Sequence, residues 1–136
     1  MKRTFKSDYK FGSAEELRLL PILEEKFDLD LELTEQGDRF DYIDTKKKVY
    51  IELKSRYNTK GKYPTTIITE SKFLVGKQLQ RGGWRIIYVF NFTDKICYIE
   101  PKSSDAFVVK NQGRRDRGKL EYHKHINFNI TDLTDF

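Results

Sequence analysis

Hydrophobic and polar positions along this chain change period several times, and each change predicts an element. Over residues 13–27, Leu20, Leu23 and Phe27 recur at i, i+3 and i+7 and make an apolar stripe along a helix. Ser13 and Glu16 stand at capping-box spacing at its start. Pro21, inside the stripe, predicts a kink or the end of the helix's first part. Residues 31–34 form a short strand. From residue 39 the period falls to two. Residues 39–44 and 48–56 predict two antiparallel strands around Thr45, Lys46 and Lys47. A basic Gly/Asn/Pro loop follows over 57–64. A second helix starts at Ile67 or Ser71, runs to Gln80 and is stopped by Gly82 and Gly83. The most apolar stretch, 84–92, is a central strand, and a turn leads to another strand at 96–100. Residues 101–120 are polar and irregular, with a short helix over 104–109 and a basic loop over 113–119. A last strand at 120–130 and a tail at 133–136 close the chain. With no internal repeat and no second core pattern, residues 1–136 are expected to form a single domain.

The hairpin carries the chemistry. With an even turn centred between Lys46 and Lys47, paired residue numbers sum to 93, and Asp41 faces Glu52 on the neighbouring strand. Lys54 shares their face, whereas Phe40, Tyr42, Val49, Ile51 and Leu53 share the other and form core. Two carboxylates this close repel unless a proton or cation lies between them. Hard oxygen donors favour Mg²⁺, with Mn²⁺ as a substitute, over zinc. A phosphodiester beside such an ion meets an acidified water and a charge that offsets the developing negative oxygens. Lys54 can position that water or stabilise the transition state. A solvated E-x-K strand face is the competing reading, but the apolar flanks on both strands give these charges a buried setting that calls for a reason.

Composition bounds the rest. The 136 residues include 26 Lys and Arg against 21 Asp and Glu, a net charge of +5 with pI near 9.2. Residues 1–53 carry a net −3 and residues 54–136 a net +8, an acidic cluster beside a basic surface that suits a metal site facing a polyanion. The single cysteine, Cys97, excludes an internal disulfide framework and reads as a small buried hydrophobe. No apolar run approaches the roughly 18 residues of a membrane span. The basic start lacks the apolar core of a signal peptide, so an intracellular, cytoplasmic location is expected (the host cytoplasm if the protein is viral).

Asp41 and Glu52-Leu53-Lys54, with their order among the predicted elements, resemble the PD-(D/E)XK nuclease superfamily, and the stretch from Glu52 to Thr66 is similar to small phage-type or junction-resolvase-like members. The family's proline is replaced by Phe40. The resemblance implies an α/β fold of the restriction-endonuclease type, a three-layer α/β/α core with a mixed central sheet. It implies a Mg²⁺-dependent endonuclease acting on DNA. Asp41 and Glu52 would be metal ligands and Lys54 catalytic. The Leu53 carbonyl would be a further ligand and Glu16, from the first helix, an additional acidic residue, with Glu15 second choice.

Around that site, Arg56, Lys60, Lys62 and Lys72 are candidate phosphate contacts, and Gln78 a candidate site-facing polar residue. Arg114, Arg115, Arg117 and Lys119 suit bidentate or point contacts to a nucleic-acid backbone. Lys46, Lys47 and Lys48 read as a solvated turn, and His123 with His125 as strand-face residues rather than a metal pair. Two other readings remain at this stage: a catalytically silent nucleic-acid-binding module of the same fold, and a small protein-binding adaptor. Within the nuclease reading, no specificity domain is visible. A structure-directed enzyme cutting junctions or flaps, working as a homodimer, is then an alternative to a nonspecific one. RNA is an alternative substrate.

Overall fold

The computed structural model describes residues 14–35, 37–116 and 119–136, with the backbone alone for 114–116 and 119–122. Helix α1 (Ala14–Phe27) precedes a meander of β1 (Glu32–Leu33), β2 (Tyr42–Asp44) and β3 (Val49–Ser55). A single 3-10 turn (Lys60–Lys62) leads to β4 (Thr65–Thr69), which runs directly into α2 (Glu70–Arg81). Then come β5 (Arg85–Asn91), β6 (Ile96–Ile99), β7 (Val108–Asp116), β8 (Lys119–Asn129), a 3-10 turn (Ile130–Asp132) and β9 (Thr134–Asp135). Among the described residues, six strands form a mixed sheet in the order β1-β2-β3-β5-β6-β9, and three form a second sheet, β4-β8-β7. β3 and β5 are its parallel pair. Parallel neighbours need a crossover, and α2 supplies it.

Each face of the large sheet has its own core. Leu19, Leu20 and Leu23 of α1 pack on Tyr42, Val49, Ile51, Leu53, Ile87 and Val89. On the other face, Phe73 of α2 and Ile126 and Phe128 of the small sheet pack on Ile86, Tyr88 and Phe90. One outer layer is therefore α1, and the other is α2 flanked by the small sheet. This is an α/β architecture with a mixed central sheet, as the resemblance implied. β5 is buried from Ile86 to Phe90 because both its faces are covered.

Several sequence expectations are corrected. Of the two helix starts expected, Ile67 and Ser71, the later one lies within a residue of the observed start at Glu70, whereas Thr65–Thr69 is a run of β-branched residues that pairs with β8. No helix forms over 104–109: β7 starts at Val108, after irregular backbone. Of the expected loop 113–119, residues 113–116 and 119 belong to the β7–β8 ladder, in which Val108 faces Asn127 and Asp116 faces Lys119, and residues 117 and 118 lie outside the described residues. α1 runs unbroken through Pro21. Both Pro21 and Leu17, whose carbonyl loses its helical donor, are exposed, so water can satisfy that oxygen. Finally, Phe40 lies on the Tyr50 side of the sheet, stacked on Tyr50 at 5.1 Å, instead of sharing the Tyr42 face. Its N–H is held by Asp38, and regular alternation begins only at Tyr42. Ser13, the expected cap of α1, lies outside the described residues.

Candidate active site

The hairpin register is the one the turn arithmetic demands. Tyr42 pairs with Ile51, Ile43 with Tyr50 and Asp44 with Val49, so the next position opposite Glu52 is Asp41. Asp41 precedes the strand proper, and three hydrogen bonds hold it there. Its N–H donates to the Ile51 carbonyl (3.0 Å), its carbonyl accepts from the Thr34 N–H (3.0 Å), and its Oδ2 accepts from the Leu53 N–H (2.8 Å). Burial, then the charge of Glu52, pushes its carboxyl from 3.8 up to about 8; the Leu53 N–H and Lys72 oppose the rise and Glu16 adds to it.

Glu52 is 2% exposed on β3. Its Oε2 takes two cations, Lys72 at 2.7 Å and Lys54 at 3.2 Å, while its buried Oε1 has no hydrogen-bond partner. A buried, unsatisfied carboxylate oxygen is costly unless something completes it. An acid pair that repels itself and an open Glu52 oxygen form a donor set of the right chemistry for a divalent cation. Among the described residues, no three His, Cys, Asp or Glu side chains are already gathered as a metal cage. The described geometry is thus an acid pair, Asp41 and Glu52, with one Glu52 oxygen open.

α1 adds Glu16. The Tyr42 hydroxyl donates to the Glu16 carbonyl at 2.7 Å, pinning the start of the helix over the hairpin, and the Glu16 charge reaches both Asp41 and Tyr42. Glu15 is turned to other work: its carboxylate binds Arg18 and accepts from Asn91 Nδ2 at 2.6 Å. Leu53 places its side chain in the α1-side core.

The structure divides the other candidates. Lys72, read from sequence as a phosphate contact, sits on Glu52 instead; it comes from the first turn of α2, twenty residues away in the chain, and only the crossover brings it there. Arg56, just past β3, donates to the Ile67 carbonyl (2.5 Å) and Thr66 Oγ1 (3.3 Å) and lies over the Phe90 ring. Lys60 is tied to Asp135 at 2.6 Å, and Cys97 and Lys95 meet the same carboxylate. Lys62 is exposed over the Tyr63 ring, and Gln78 is exposed on α2. Arg114, Arg115 and Lys119 lie on the β7–β8 hairpin backbone, and Arg117 is outside the described residues. In the β2–β3 turn, Lys47 reaches the Asp28 carbonyl and Lys48 the Gly82 carbonyl, so this exposed turn also anchors its surroundings. His125 is buried and its Nδ1 meets the His123 carbonyl, a strand-packing role; Cys97 is buried, as its sequence setting implied.

A family model described as "Phage putative PDDEXK endonuclease" matches residues 8–135. No curated protein matches the chain.

Proposed function

The chain belongs to the phage PD-(D/E)XK endonuclease family, and from that premise we propose that it hydrolyses phosphodiester bonds in DNA with a divalent metal ion held by Asp41 and Glu52. Membership in an endonuclease family supports nuclease activity generally. The observation that carries the finer reading is the acid pair itself: half-buried Asp41 with its raised carboxyl, and buried Glu52 with one oxygen on two lysines and the other open.

The Leu53 carbonyl and Glu16 are the remaining proposed ligands. Bound there, Mg²⁺ or Mn²⁺ supplies an acidified water and positive charge against the phosphoryl oxygens. The chain's own residues do the rest. Asp41 and Glu52 would hold the ion, and the Asp41 carboxyl, raised to about 8 by burial and by Glu52, would have to be ionised to do so. Lys72 and Lys54 fix the Glu52 carboxylate in one orientation. Lys54, the more exposed of the two, is the one that could hold the attacking water and offset charge on the pentacovalent phosphorus. Apolar packing beneath β3 keeps the pair in a low-dielectric setting, where each of these interactions is stronger than in water.

The test is cleavage of single-stranded, duplex, flapped and four-way-junction DNA and of RNA, each with Mg²⁺, Mn²⁺ or EDTA. Cleavage should need the metal. Glu52→Gln should lose metal affinity and activity together; Lys54→Ala should retain metal binding by calorimetry and lose roughly 10²–10³-fold in kcat. Undiminished cleavage by both purified variants would sink the assignment, and nucleic-acid binding with no cleavage under any metal would favour the silent-module reading.

A further inference from the structure

A cleft of about 450 Å³ opens between the end of β3 and the small sheet, and its wall begins at Lys54. We infer that it receives one unstacked nucleotide of the strand being cut, so that single-stranded or locally unpaired DNA is the preferred substrate. This rests on the nuclease reading above.

The chemistry of the lining argues for a nucleotide. One wall is cationic: Lys54, shared with the catalytic pair, and Arg56, fixed by its bonds to β4. The floor is apolar, with Phe92 and Ile130. Tyr63 stands beside it with 53% of its surface exposed, and Gln112 brings an amide from β7. A groove that only tracked a phosphate backbone would need the cations alone. Apolar lining from Phe92 and Ile130 together with the exposed Tyr63 ring serves a planar base that has left its stack, the way aromatic residues hold bases of single strands. The volume lies within the range of about 300–1000 Å³ that encloses small ligands, so it admits one nucleotide and no stacked base pair. Because Lys54 lines the cleft and also pairs with Glu52, the occupant would adjoin the scissile phosphate. Extruding a base costs least where it is unpaired, which sets the substrate class.

The experiment measures binding in EDTA by fluorescence anisotropy and cleavage in Mg²⁺, with oligonucleotides carrying 2-aminopurine at successive positions around the cut. Single-stranded and flapped DNA should bind and be cut at least about tenfold better than intact duplex, with 2-aminopurine fluorescence changing at one position beside the cut. Tyr63→Ala, checked for an unchanged melting temperature, should weaken single-strand binding about tenfold through loss of one base–aromatic stack. Should that variant misfold, the 2-aminopurine signal on the unaltered protein decides alone. Duplex cleaved as well as single strands, with no position-specific signal, overturns the cleft assignment and leaves the nuclease standing. Single-strand preference and a position-specific signal without cleavage under any metal uphold the cleft and overturn the nuclease.

Discussion

Asp41, just before β2, and Asp44, at its end, lie three residues apart, and their carboxyls shift in opposite directions. Both are pushed up by burial. At Asp44, backbone N–H groups of Lys47, Asp30 and Lys46 outweigh that push and hold it below its ordinary value, so Asp44 is a turn-fixing residue. At Asp41, one N–H bond cannot offset burial and the Glu52 charge, and the carboxyl rises to about 8. The folded protein then keeps the Asp41 proton between about pH 4 and 8, a range in which the unfolded chain has released it. Asp41 therefore contributes stability at low pH that fades as pH rises toward 8. Asp41→Asn, always neutral, should melt higher than the parent in EDTA at pH 8, by about 4 °C or more, with little difference at pH 5. Saturating Mg²⁺ should raise the parent and not the variant. Thermal melts over pH 5–9 with and without metal check this; a variant that melts lower at pH 8 in EDTA contradicts the repulsion argument. At this scale the sequence was unusually legible, because a four-residue turn fixes which positions face each other without reference to the rest of the fold. The contact of Lys72 with Glu52 is not legible locally, since no local pattern reports what a crossover delivers.

Elements bring that lysine in, and the packing of α2 on β5 turns on Gly76. A Cβ added there would lie 2.7 Å from the Tyr88 hydroxyl and 3.4 Å from Ile86 Cγ2. Tyr88 is buried and its ring cannot swing aside, so Gly76→Ala must lift α2. In an isolated helix, alanine for glycine is worth about 1 kcal/mol of gain. Here overpacking should dominate, with a net loss of roughly 1–3 kcal/mol by urea denaturation. Adding Tyr88→Phe removes the clashing oxygen and should recover part of the loss. A stabilising Gly76→Ala would show that the helix seats more loosely than described. The same element scale is where the sequence misled. Thr65–Thr69 is rich in β-branched residues, yet its partner strand lies some sixty residues on, and the apolar pattern merges into the helix that follows. β7 is polar and its Val108 and Val109 are exposed, so no hydrophobic alternation marks it; its ladder with β8 does.

At the scale of the molecule, the sheet separates two jobs. One face is closed by α1, which contributes Glu16; the other carries Glu52 beneath α2 and continues into the small sheet, where the net positive charge of residues 54–136 is concentrated along the sequence. The β7–β8 hairpin extends this second side by nine consecutive pairs and brings Arg114, Arg115 and Lys119 to its far end, opposite Glu121, Leu120 and Asp116. Under the proposed function, acidic groups would sit at the chemistry and basic ones on the second side, where they would attract a polyanion. If that hairpin holds substrate, each charge that neutralises a phosphate releases counterions, and the dependence of log K on log salt steepens by about 0.7 per contact on a single strand. Replacing Arg114, Arg115 and Lys119 together by alanine should then flatten the slope by about 2 and weaken binding at low salt. The loss should be uniform across sequences, with metal affinity and melting temperature unchanged. An anisotropy titration of parent and variant from 50 to 300 mM salt measures it. A variant with the parent's slope would mean that the hairpin's charge is surface solvation, and that the cations holding the strand are those nearer Lys54.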